Sequence, residues 1–276
     1  MMCGRGHGGR AAGDVGREDD SCMREGTAVI RSAIKLNQAW SAALERRLPQ
    51  AKADPLVMYD HAVVRCASKF DAPVIVDVGG GKHCTFASLV DKSKRAKIIA
   101  VDVSEEELRH NTDVDEKRVA DAAKGLPFAD GEVDLIASRL VLEHVADVEA
   151  FIAHSARVLR SGGYAVHLMP GRFAPFAVVA RVMPFNLAKR IVHFLRPQTI
   201  GVIEFPVYYD KCYYSALHDT FARNGYTGIQ ITPFYYSSDY YDAFFPAYCV
   251  SALYEMTIRW LRLRNLAGYV LVVARR

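Results

Sequence analysis

Val74-Ile75-Val76-Asp77-Val78-Gly79-Gly80-Gly81-Lys82-His83 decides how this chain is read. Four β-branched residues around one aspartate make a short run that suits a strand buried on both faces. Three glycines follow at once, which lets the backbone turn sharply and lets a ligand come close to it. A helix is expected from there to about Lys92, presenting its N-terminal amides to an acidic group. The spacing puts Cys84 where a dinucleotide-binding fingerprint has its third glycine, which counts against a dinucleotide.

Outward from this stretch the same alternation continues. Lys97-Ile98-Ile99-Ala100-Val101 reads as a second buried strand ending at Asp102, and Ser104 with Glu107 forms a capping-box pattern for a helix. Asp121-Ala122 ends a third candidate strand, before Gly125-Leu126-Pro127-Phe128. Val133 to Ala137 is strand-like, a helical stretch reaches Leu159, Ser161-Gly162-Gly163 stops it, and Tyr164 to Leu168 is a further strand. Upstream, helices are expected over 28–48 and 55–66. Downstream, a helix over 215–223 and strands over 229–232 and 268–274 return to the sheet. Strand, helix, strand repeated in this way predicts a parallel sheet with helices on both faces.

The expected fold is therefore α/β: a Rossmann-like, doubly wound, mostly parallel seven-stranded sheet. It has a helical N-terminal extension and a large lid insertion before the last strands. The divisions are a disordered leader (1–27), a helical extension (28–68), a core with the glycine loop (69–170), and a large insertion with terminal helix and strands (171–276). The leader is Gly/Arg/Asp-rich and lacks the apolar core of a signal peptide.

Composition divides the chain at the same place. With 51% hydrophobic and 24% charged residues there is ample material for a core. Wholesale disorder is therefore excluded. A net charge of +4 over 276 residues is too weak a field for nucleic-acid binding by bulk charge. Of 14 tyrosines, 12 lie at or after Tyr208, and 171–276 carry 12 basic against 6 acidic residues. Arg172, Arg181, Lys189, Arg190 and Arg196 have no acid among them. The segment 173–196 is either a helix with a solvated basic face or a peripheral contact with a membrane. Arg259, Arg262 and Arg264 form a second basic stripe beside Trp260 and Leu261. No apolar run is long enough to span a bilayer. Six scattered cysteines with no Cys-x-x-Cys pair read as reduced thiols. A cytoplasmic protein is therefore expected, peripheral at the inner face of a membrane if the second reading of 173–196 holds. No metal site is expected.

Five motifs together resemble the class I S-adenosylmethionine-dependent methyltransferases, in the small-molecule group with the methyltransferase-11-like domain. They are DVGGGKH (77–83), VDVSEEEL (101–108), DAAKGLPFADGEVDLIAS (121–138), LVLEHVAD (140–147) and RVLRSGG (157–163). The resemblance implies S-adenosyl-L-methionine as cofactor. Asp77 with Gly79, Gly80 and Gly81 would hold its methionine part, Asp102 and Val103 the ribose, and Asp121 with Ala122 the adenine. The strand ending near Ser138-Arg139 would face the transferred methyl. His83 departs from the pattern, which usually has a glycine or small residue there.

Methyl transfer is an in-line displacement, so placing the acceptor supplies most of the catalysis, and a general base is needed only where the nucleophile must lose a proton. His144 and His167 are the candidate bases, each also readable as a buried structural imidazole. Arg139, Tyr208, Tyr209 and Tyr213 are assigned to the acceptor side. Pairs such as Tyr208-Tyr209 and Tyr240-Tyr241, if in strands, would send one ring to the core and one to a cavity. The acceptor is expected to be a small molecule or a lipid- or glycan-linked one. A nicotinamide-dependent oxidoreductase and a non-catalytic cofactor-binding or membrane-docking relative are the alternatives.

Overall fold

The computed structural model describes residues 15–184, 186–187, 190 and 206–276. Seven strands form one sheet: β1 Val74–Val78, β2 Lys97–Asp102, β3 Glu116–Val119, β4 Val133–Arg139, β5 Leu159–Pro170, β6 Thr227–Phe234 and β7 Tyr269–Arg275. Their order is β3-β2-β1-β4-β5-β7-β6. The first five run parallel, while β7 is antiparallel to both β5 and β6. The seven-stranded, mostly parallel sheet expected from sequence is therefore present, closed by an antiparallel hairpin.

Helices lie on both faces: α1 Val15–Glu45, α2 Pro55–Ala67, α3 Glu105–His110, α4 Val148–Val158, α5 Pro175–Val182, α6 Tyr214–Arg223 and α7 Phe245–Trp260. The strands divide their side chains between two cores by simple alternation. Val76, Val78, Ile99 and Ile136 pack with Phe151 and Ile152 of α4 and Phe221 of α6. Ile75, Ile98, Leu135 and Leu168 pack with Tyr59, Val63 and Cys66 of α2. The β-branched run of β1 is buried because both faces are covered.

Four expectations change. First, no helix follows the glycines: residues 79–91 form turns, with Cys84 and Phe86 buried and the Cys84 amide donating to Asp113 Oδ2 at 3.1 Å. The loop amides there are taken up within the protein: Gly79 and Gly80 donate to Val101 O and Gly81 to Asp102 Oδ2. Second, Gly162-Gly163 lies inside β5 as an irregularity, where the register jumps from Val133 opposite Leu159 to Leu135 opposite Tyr164. Third, the paired aromatics are mostly not in strands. Tyr240 and Tyr241 sit in a 3₁₀ turn, and Phe245 and Tyr214 open helices. Fourth, α1 starts at Val15, inside the stretch assigned to a leader. Most of 185–205, which includes much of the basic segment, lies outside the described residues. No described helix is long and apolar enough to cross a membrane.

Candidate active site

The cleft opens at the C-terminal edge of the parallel strands, where open α/β sheets place ligands. Its volume is about 460 Å³. That is within the range of small-molecule sites. One wall is the glycine loop after β1. Gly79 has φ +71°, and a Cβ there would collide with Val141. Its amide donates to Val101 O at 2.7 Å. A Cβ on Gly80 would come within 2.8 Å of Ala100 Cβ. Asn111, wholly buried, donates from Nδ2 to Gly80 O at 2.9 Å and Gly81 O at 3.1 Å. Nothing in the sequence marks Asn111, because its partners lie thirty positions upstream.

Asp102 stands across the loop at the end of β2. Its Oδ2 accepts from the Gly81 amide at 3.1 Å and its Oδ1 from the Ser104 amide at 2.9 Å. Each carboxylate oxygen keeps a further lone pair, so the side chain is oriented yet still able to accept two hydroxyls. Ser104 also caps α3, accepting from the Glu107 amide at 3.2 Å. Such a cap satisfies a helix-terminal donor that would otherwise lack a partner. Val103 lines the cleft and is 55% exposed. Asp121 and Ala122 line the next section, with Asp121 Oδ1 accepting from the Ala123 amide at 3.1 Å.

Asp77 lies beneath the loop, buried. Burial pushes its carboxyl up to about 7, against the Cys84 hydrogen bond and the Arg139 charge, which favour ionisation. Gly80 and Asp77 support the loop from below; the cleft wall is formed by Gly79 and Gly81.

The rest of the lining includes Arg139, Leu140, Val141, His144, Val145, Pro206 and Tyr208. Leu140 adopts φ +58° where β4 leaves the sheet. That conformation is uncommon for a leucine and concentrated at functional sites. The His144 ring faces the cleft from a 3₁₀ turn, Leu142–His144. Its Nδ1 is 2.8 Å from Pro206 O. A carbonyl only accepts, so Nδ1 carries the proton and Nε2 the lone pair. Burial lowers the pKa of His144, which keeps the ring neutral at pH 7. Glu143 beside it is buried, with Oε1 4.0 Å from His144 Nε2. Burial raises its carboxyl to about 8. The Glu143 carbonyl accepts from the Tyr208 and Tyr209 amides at 2.7 and 3.0 Å, tying the lid segment to the site.

The other sequence candidates separate here. Tyr208 reaches the cleft, but Tyr209 is buried behind it, and Tyr213 packs on Phe173 with ring centroids 5.2 Å apart. His167 does not reach the cleft. It is enclosed in the core between Phe151 and Phe221, hydrogen-bonded to Ser138 at 2.7 Å, and desolvation lowers its pKa to about 3. Ser138 is turned the same way, fully buried. Because β5 is covered on both faces, proximity to the strand end does not bring His167 out.

Residues 76–167, about a third of the chain, match the family model described as a methyltransferase domain. The match makes 76–167 a methyltransferase domain, and the sheet around it has the fold of the class I S-adenosylmethionine-dependent methyltransferases. The geranyl diphosphate C-methyltransferase of Streptomyces coelicolor is similar in fold, with 15% identity, TM-score 0.51, and 80% of this chain and 76% of that one covered. A further geranyl diphosphate methyltransferase structure gives 16%, 0.52, 80% and 77%. An S-adenosylmethionine-dependent methyltransferase from Mesorhizobium loti has 21% identity, TM-score 0.48, and coverage of 74% and 91%. No curated protein matches this chain in sequence.

The residues present fit the cofactor. The positive-φ glycines leave the backbone open to the cleft, Asp102 offers an oriented carboxylate, and Asp121 stands one section further along.

Proposed function

We propose that this protein methylates a small-molecule or lipid- or glycan-linked acceptor by in-line displacement, with the acceptor entering between Arg139, His144 and Tyr208. The observation that carries this reading is one cleft lined by two sets of residues. Gly79, Gly81, Asp102, Val103, Asp121 and Ala122 line it together with Arg139, His144 and Tyr208.

When bound, S-adenosylmethionine supplies an electrophilic methyl group on a sulfonium. Asp102 would hold the ribose hydroxyls, the glycine loop over Asp77 the methionine portion, and Asp121 with the Ala122 region the adenine edge. Arg139 orients an acidic or phenolic group of the acceptor. His144 receives a proton at Nε2 where the attacking atom must lose one, since Pro206 fixes the other nitrogen as the donor. The apolar members Leu140, Val141 and Val145 exclude water from that part of the cleft.

Calorimetric titration with S-adenosylmethionine, S-adenosylhomocysteine and NADH tests the cofactor side; binding of NADH alone would overturn it. Labelled cofactor incubated with a cell extract, then split into lipid, glycan, protein and small-molecule fractions, tests the acceptor. Label confined to protein would sink the acceptor class.

A further inference from the structure

Helix α7 has an inner face and an outer face that are both apolar. Tyr248, Ser251, Ala252, Glu255 and Ile258 point inward. Val250, Leu253, Met256 and Trp260 point outward, and Trp260 is 81% exposed. Leu261 and Leu263 extend the stripe past the helix end and are also exposed. Such a stripe of large side chains, three turns long, is unusual on a surface that meets only water.

Along the chain, the exposed charge from this helix onward has one sign. From Ala243 to the C-terminus the sole acid is Glu255, which is buried and accepts from the Ser237 amide and hydroxyl at 2.8 and 3.1 Å. Arg259, Arg262 and Arg264 lie at the exposed end of the stripe. The outward side chains of α7 are thus apolar, and the charged ones at its exposed end are arginines.

Its position is set by topology. α7 leaves the sheet after β6 and returns at β7, where Phe234 is opposite Tyr269 and Tyr269 is opposite Pro170. Those residues mark the C-terminal edge of the parallel strands, the edge at which the cleft opens. α5 follows β5 at this edge, tied to the α7 side by Phe176 stacked on Tyr240 with centroids 4.1 Å apart. It exposes Val178, Val179 and Val182.

A second copy of the chain answers this surface less fully, since 243–276 offers no exposed acid for the arginines to meet. An anionic bilayer answers both features. Apolar side chains enter the acyl boundary, tryptophan settles at headgroup level, and arginine meets lipid phosphate. We propose that α7 and the turn after it dock this protein on an anionic lipid surface, through Leu253, Trp260 and Leu261 with Arg259 and Arg262 at the rim. The helix and the cleft share one edge of the sheet, which deepens the reading of a lipid-linked acceptor without depending on it.

The chain has two tryptophans, Trp40 and Trp260, so Trp40→Phe leaves Trp260 as the only indole. In the full-length protein carrying that change, vesicles containing phosphatidylglycerol are expected to shift the emission to the blue and to pellet the protein. Pure phosphatidylcholine vesicles are expected to do neither. Arg259→Gln and Arg262→Gln should each weaken partitioning by about fivefold, the equivalent of roughly 1 kcal/mol per basic residue near a charged surface. Leu253→Asp should abolish it, with an unchanged thermal melt in lipid-free buffer confirming the fold. Absence of partitioning, or partitioning indifferent to these substitutions, overturns the proposal. So does a lipid-free dimer in sedimentation velocity that Leu253→Asp dissociates. Vesicle binding is measured without cofactor, so its failure is separate from failure of methyl transfer.

Discussion

Asp102 carries the clearest residue-level prediction. It is held by two backbone amides at the mouth of the cleft. Hydrogen bonds to a charged group contribute about 1.5–3 kcal/mol each. Asp102→Ala is expected to weaken S-adenosylmethionine about a hundredfold in calorimetry. His144→Ala should lower kcat by roughly a hundredfold or more for an acceptor that must be deprotonated, with KM little changed. It should also remove the rise of kcat with pH at the His144 ionisation. An unchanged pH profile would assign the proton transfer elsewhere. Gly79→Ala combines a left-handed φ with a collision against Val141. It is expected to lower Tm by several degrees and abolish cofactor binding. These cofactor residues are legible in the sequence because a strand, a glycine turn and a carboxylate at the next strand end form a local pattern. Asn111 and Glu143 are not, since their importance lies in partners distant along the chain or in burial.

At the scale of elements, strands are easier to read than helices. β1, β2 and β4 are short, β-branched and buried on both faces, so composition alone marks them. α7 escapes because apolar residues surround it: Ala252 and Ile258 face the core while Val250 and Leu253 face outward. That leaves no polar face to set against an apolar one. The turns of 79–91 read as a helix because Gly-rich loops usually introduce one, whereas here Asn111 and Asp113 of the loop after α3 pin the backbone. Asn111→Ala removes both ties to the glycine loop. Faster amide exchange over 79–84 is expected, with weaker cofactor binding although Asn111 itself does not line the cleft. Unaltered exchange there would show that the loop is held without it.

For the whole molecule, buried ionisable groups set the pH at which the fold is firmest. Asp77, Glu143 and Glu255 have folded pKa values raised to about 7, 8 and 7, so the native state holds protons that the unfolded chain releases. Their stability is present at low pH and is lost as pH rises from about 4.5 through 7–8. His167 acts in the opposite direction. It stays neutral in the fold down to about 3, so stability falls as acid protonates the unfolded imidazole below about 6.5. The His167 contribution is about 2 kcal/mol between pH 7 and pH 5. Three carboxyls outweigh one imidazole where the two windows overlap, so urea denaturation is expected to give its maximum near about pH 4.5, with a long alkaline flank and a short acid one. Glu143→Gln should flatten the alkaline one, and equal midpoints at pH 6 and pH 8.5 in the parent protein would contradict this.

The pairing of Phe234 with Tyr269 has a consequence for how this enzyme diversifies. The thirty-four intervening residues depart from and rejoin two adjacent antiparallel strands, so their ends are already side by side. An excursion anchored in this way can lengthen, shrink or be exchanged while the hairpin keeps its register. The cofactor residues, all on the first half of the sheet, need not change in step. The surface carried by 235–268 is thereby separated in the chain from the residues that line the cleft, and grafting this excursion between related scaffolds would change the one without rebuilding the other.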